Sequence, residues 1–67
     1  MKPASFSGPK LQAAREKADL TRAELAAKVG ISRQTIIAIE TGKHGTSFEL
    51  ACRLADSLGI KIESLRG

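Results

Sequence analysis

Thr21-Arg22-Ala23-Glu24-Leu25-Ala26-Ala27-Lys28-Val29-Gly30-Ile31-Ser32-Arg33-Gln34-Thr35-Ile36-Ile37-Ala38-Ile39-Glu40-Thr41 is the stretch that decides the fold. Thr21 is a good N-cap, and Glu24 three places on completes a capping box. The pattern predicts a helix over about 21–29, with Leu25, Ala26 and Val29 turned inward. Gly30 stops it where a left-handed residue is needed. Ser32 is a second N-cap. It opens a helix over about 33–41, with Ile36 and Ile39 inward. Only Gly30-Ile31-Ser32 joins the two. A turn this short, holding Gly, sends the second helix off at a steep angle to the first.

Outward from this unit the helical period continues. On the N-terminal side Leu11, Ala14, Arg15 and Ala18 fall on one face of a helix that starts at Pro9. Asp19, a residue that tolerates left-handed backbone, ends it. Residues 1–8, with Pro3, Ser5, Ser7 and Gly8, show no period and read as a flexible N-terminal arm. On the C-terminal side Gly42 stops the third helix. Ser47 caps a fourth over about 48–58, whose stripe is Phe48, Ala51, Leu54, Ala55 and Leu58, and Gly59 stops that one. Ile60, Ile62 and Leu65 then space a short last helix or turn, roughly 62–66. Nothing alternates with period two. The expectation is an all-α domain over residues 9–67, four clear helices plus a weak fifth. Its expected core is Leu11, Leu20, Leu25, Val29, Ile36, Ile39, Phe48, Leu54 and Leu58.

Composition narrows the chemistry. Sixty-seven residues make one small domain. Eleven Lys and Arg against seven Asp and Glu give a net charge of +4. Residues 1–46 hold eight bases and four acids, residues 47–67 three of each. The whole excess therefore lies in the first two thirds, where a polyanion would be met. One cysteine, Cys52, cannot form an internal disulfide, which fits a reducing compartment. No apolar run is long enough to span a bilayer, and no signal peptide is visible. A cytoplasmic protein is expected.

The chemistry of the third helix points to DNA. Arg33 and Gln34 stand at its front end. Arg is the usual bidentate donor to guanine O6/N7, and Gln pairs with adenine N6/N7. The free N–H groups of that helix end suit a phosphate. Two bonded helices with so short a turn form the unit in which one helix crosses the DNA backbone and the next enters the major groove. Thr35 either packs or touches a phosphate. Ala38, one turn beyond Gln34, either meets a thymine methyl or is small to let DNA approach. Ile37 lies off the Ile36/Ile39 stripe and is expected half exposed, at the DNA face or against the neighbouring loop.

Residues Leu11 to Leu65, and above all the segment from Leu20 to Lys43, resemble the lambda-repressor-like helix-turn-helix family, also called the xenobiotic-response-element (XRE) family. The resemblance implies a five-helix fold, operator DNA as ligand and commonly a dimer on a near-palindromic site. It implies backbone contacts from Thr41, Lys43 and His44 after the recognition helix, and a partly buried ion pair between Arg15 and Glu40. Four features depart from the family pattern. Arg22 replaces a Gln that touches a phosphate and braces the recognition helix. His44-Gly45-Thr46 replaces a loop that often holds an aromatic residue and Pro. Asp19 replaces Gly, and Lys61 stands where a small N-cap residue is common.

The expected DNA-contact set is thus Arg22, Ser32, Arg33, Gln34, Thr35, Ile37, Ala38, Thr41, Lys43 and His44, serving a sequence-specific repressor. No catalytic set, cofactor or metal site is expected: His44 has no ligand partners at metal spacing, and Cys52 reads as a small hydrophobe beside the apolar stripe. The neutral, apolar last third supports a second reading, an antitoxin-type or other protein-interaction subunit that also binds DNA. A third is the DNA-binding fragment of a longer regulator. One short helix reads only about 4–5 base pairs, so a homodimer is expected, with Ile62 and Leu65 near its centre.

Overall fold

The computed structural model describes residues 6–43 and 45–67. Its elements are α1 (Gly8–Lys17), α2 (Arg22–Val29), α3 (Arg33–Glu40), α4 (Phe48–Leu58) and a 3-10 turn, Ile62–Leu65. Among the described residues the fold is all-α, as expected, with four α-helices, and the weak fifth element is reduced to that turn. Lys61 explains the reduction: at its N-cap position it makes no side-chain cap bond. The other starts are capped. Ser7, Ser32 and Ser47 accept from the backbone N–H of Lys10, Thr35 and Leu50 at 3.1–3.2 Å. At α2 the Glu24 N–H donates to Thr21 Oγ1 at 3.1 Å, and the Thr21 N–H donates to Glu24 Oε1 at 2.8 Å. Hydrogen bonding from the Thr21 backbone and hydroxyl holds the Glu24 carboxyl below its ordinary pKa. Asp19 takes φ +64° between α1 and α2, the left-handed conformation its side chain was expected to tolerate.

Among the described residues the fully buried large side chains are Leu11, Leu25, Ile36, Ile39, Leu54 and Leu65, joined by Ala26, Val29, Ala51 and Ala55. Every helix contributes, so no element folds by itself. Three expectations about the core need correction. Leu20 and Leu58 are half-buried at its edge. Phe48 is 76% exposed. It is the first residue of an eleven-residue helix about 16 Å long. Its stripe is apolar throughout, yet the core beneath is shorter, and Phe48 overhangs it.

The arm is also corrected. Helix α1 begins at Gly8, and Phe6 forms an isolated antiparallel bridge with Arg66. Ser7 N–H donates to Leu65 O at 2.7 Å, and Lys10 Nζ to Arg66 O at 2.6 Å. Residues 6–8 therefore belong to the domain; residues 1–5 lie outside the described ones. Gly8 is buried, and a Cβ built on it would sit 2.5 Å from the carbonyl oxygens of Ile39 and Glu40. The start of α1 thus abuts the end of α3. No sequence period signals such a contact, because the residue that permits it has no side chain.

Candidate nucleic-acid interface

Helices α2 and α3 form the site, and the turn between them sets its geometry. Gly30, at φ +77°, and Ile31 both return their N–H to Ala26 O, at 2.9 and 3.0 Å. This closes α2 with a left-handed glycine and reverses the chain within three residues. Arg53 of α4 donates from Nη2 to Val29 O, so a cation sits on the negative end of α2 beside the turn. The sequence pattern missed this role, since an exposed Arg in mid-helix gives no periodic signal.

On α3 the two faces are cleanly divided. Ile36, Ile39 and Glu40 are buried, while Arg33 and Gln34 are exposed at the front end. Thr35, Ile37 and Ala38 are half-buried along the same side. Ile37 stands where its offset from the buried stripe put it. Ser32 Oγ and Thr35 Oγ1 are 2.8 Å apart, so one hydroxyl proton is spent between them and the other remains to donate outward. Thr41 follows the helix, and its hydroxyl donates back to Ile37 O at 2.8 Å. That proton is engaged within the helix end, and Lys43, exposed two residues on, offers a side-chain donor. His44 lies outside the described residues.

Arg22, the first residue of α2, is not a free surface cation. Its Nε donates to Glu40 Oε1 at 2.9 Å, and Arg15 Nε donates to Glu40 Oε2 at 2.7 Å. The ion pair of α1 with α3 is therefore present, and Arg22 joins it from α2. The brace usually made by Gln is made here by Arg.

Leu65 is 1% exposed, and Ile62 half-buried. This overturns Leu65 as the centre of a dimer interface: it fills the space between α4 and the N-terminal segment. The surface left open nearby is a groove of about 330 Å³, lined by Phe6, Phe48, Ala51, Ile62, Leu65 and the charged pair Glu63 and Arg66. Among the described residues no cluster of three His, Cys, Asp or Glu side chains is placed to hold a metal ion, and no helix is long and apolar enough to cross a membrane.

The family model described as helix-turn-helix matches residues 11–65. The chain belongs to the helix-turn-helix family. It is 50% identical over 56 residues to an uncharacterised HTH-type transcriptional regulator of Methanocaldococcus jannaschii, covering 84% of this chain and 85% of that one. Among solved structures it is similar to the restriction-modification controller protein C.AhdI from Aeromonas hydrophila. That match has TM-score 0.84 and 28% identity, and covers 87% of this chain and 88% of the other. It is also similar to part of Fe(II)-HppE solved with an alternative substrate, with TM-score 0.86 and 30% identity. All of this chain but only 35% of HppE is covered there, so HppE contains this fold as one part of a larger chain.

Proposed function

We propose that this protein is a DNA-binding transcriptional regulator that works in the cytoplasm and catalyses no reaction. Helix α2 lies along the DNA backbone and the N-terminal end of α3 enters the major groove. The observation that carries this is the division of α3: an exposed Arg33–Gln34 pair at its front, backed by fully buried Ile36 and Ile39. A donor pair able to read guanine and adenine is thereby held on a rigid element. Ala38 and Ile37 border the same surface, Ser32, Thr35, Thr41 and Lys43 flank it for backbone contacts, and the resemblance implies a further contact from His44. The likeness to named transcriptional regulators supports the reading, and repression is the mode in which such a protein would act by occupying its site.

Selection of bound duplexes from random DNA tests it directly. Arg33→Ala and Gln34→Ala should each relax the preference at one or two base pairs and cost about 1–3 kcal/mol on the selected site. Lys43→Ala should weaken all sequences alike and reduce the salt slope by about one unit. A uniform loss from Arg33→Ala would move the reading role to another residue.

A second copy of the chain completes the specificity, on a near-palindromic site. The overhanging Phe48 stands beside the groove it helps to line, and the rim carries Glu63 and Arg66, one charge of each sign. A two-fold axis would set each Phe48 against the other groove and each Glu63 near the other Arg66, a self-complementary arrangement. The two recognition helices would lie about 34 Å apart, one turn of duplex. Phe48→Asp should leave the fold intact, since the side chain is exposed, and should shift light scattering across a concentration series to the monomer. Wild-type protein that stays monomeric at high concentration and binds a palindrome non-cooperatively would remove the dimer.

A further inference from the structure

Three side chains from three helices meet at the end of α3. The Glu40 side chain is wholly buried. Its Oε2 accepts from Arg15 Nε, and its Oε1 accepts from Arg22 Nε at 2.9 Å and from Arg15 Nη2 at 3.4 Å. Arg15 also donates from Nη1 to Leu20 O at 2.8 Å. All three nitrogens of Arg15 are therefore engaged with protein acceptors, and its side chain is 10% exposed.

One buried carboxylate thus faces two guanidinium groups. Arg15 has a second carboxylate, the exposed Glu16, 3.9 Å from its Nη2. Of the two cations Arg22 is the more exposed, with 34% of its side chain open. Arg22 stands at the start of α2, the helix that crosses the backbone in a helix-turn-helix complex. A guanidinium carries five N–H groups in a rigid planar fork. A bond through Nε to a buried acceptor fixes the plane of that fork, while the Nη groups retain the geometry that suits two phosphate oxygens. Fixing the fork beforehand removes much of the side-chain ordering that binding would otherwise require.

We infer that Glu40 is a positioning residue for DNA affinity although it touches no DNA: it presets the guanidinium of Arg22, already expected at the DNA backbone, for a phosphate. This rests on the DNA-binding reading above. The opposite arrangement, in which Glu40 sequesters Arg22 from DNA, makes the opposite prediction.

The test measures affinity for a duplex selected with wild-type protein, by fluorescence anisotropy over a range of salt, with the urea midpoint followed in parallel. Arg22→Ala keeps the Arg15–Glu40 pair, and should lose about tenfold in affinity with a salt slope smaller by about one unit. Arg22→Lys keeps the charge and the slope but not the fork, and should lose roughly three- to tenfold. Glu40→Gln should lose about tenfold at unchanged slope, and lose nothing further in the Arg22→Ala background, the coupling expected of residues that act through each other. If Glu40→Gln does not fold, Glu40→Asp replaces it: the charge stays opposite Arg15 while the reach to Arg22 shortens.

Three outcomes overturn the inference: tighter binding by the Glu40 variant, an equal loss in both backgrounds, or an unchanged slope in Arg22→Ala. Wild-type protein that binds no duplex would instead bring down the DNA-binding reading. Binding by wild type together with unaffected Arg22 variants would sink the Arg22 contact alone.

Discussion

Gly8→Ala is expected to destabilise the protein by about 3 kcal/mol, at the upper end for overpacking. In most helix positions the same change is neutral or stabilising by up to about 1 kcal/mol, because Ala has the higher helix propensity. Here the new methyl would stand 2.5 Å from two backbone carbonyl oxygens, those of Ile39 and Glu40. Neither is the tip of a side chain that can swing aside, so α1 must move off α3. That movement would also strain the neighbouring Arg15–Glu40 pair, which links the same two helices. Urea unfolding followed by circular dichroism checks this, with a lower midpoint at unchanged slope. Gly45→Ala is the control, since a Cβ there meets nothing within 4 Å. A Gly8→Ala protein as stable as wild type would mean that α1 does not approach α3 so closely.

Ile36→Ala is expected to cost about 2–5 kcal/mol, the range for truncating a buried Ile. Ile36 is 0% exposed and lies on the face of α3 that meets the core. A domain of this size has a total stability on the order of 5 kcal/mol, so this variant should be partly unfolded at 25 °C and lose DNA binding through loss of fold. Its sequence neighbour gives the contrast. Ile37 is half-buried on the other side of the same helix, and Ile37→Ala should cost about 1 kcal/mol or less, as partial burial of the same side chain implies. Thermal unfolding of the two variants side by side decides the matter. Equal losses would mean that the inward face of α3 has been misassigned.

These two residues also show how legibility divides. Ile36 was readable because a helix repeats every 3.6 residues, so its spacing from Ile39 and from the Ser32 cap fixes a face. The same local rule placed the starts of α2, α3 and α4, the left-handed Asp19, the exposed Arg33–Gln34 pair and the weakness of the turn after Lys61. Each of these depends on residues within about four positions of one another, and one-dimensional order carries such information.

Gly8, Phe48, Leu65 and Arg22 were decided elsewhere. Periodicity names the side of a helix that is apolar, but not how far the neighbouring helices extend beneath it, and so Phe48 overhangs while Leu65 is enclosed. Composition shows that Arg22 and Glu40 are opposite charges, but their 2.9 Å contact bridges eighteen positions and exists only once α2 and α3 have turned on Gly30. Gly8 reads as arm in the sequence because a missing side chain leaves no pattern; its purpose is the space it vacates against α3. The sequence by itself determined the helices, the caps of α2, α3 and α4, and the exposed front of α3. The tertiary structure alone decided which ends meet, which apolar residues stay outside, and which cations are held against Glu40, because each of those depends on atoms brought together from distant positions in the chain.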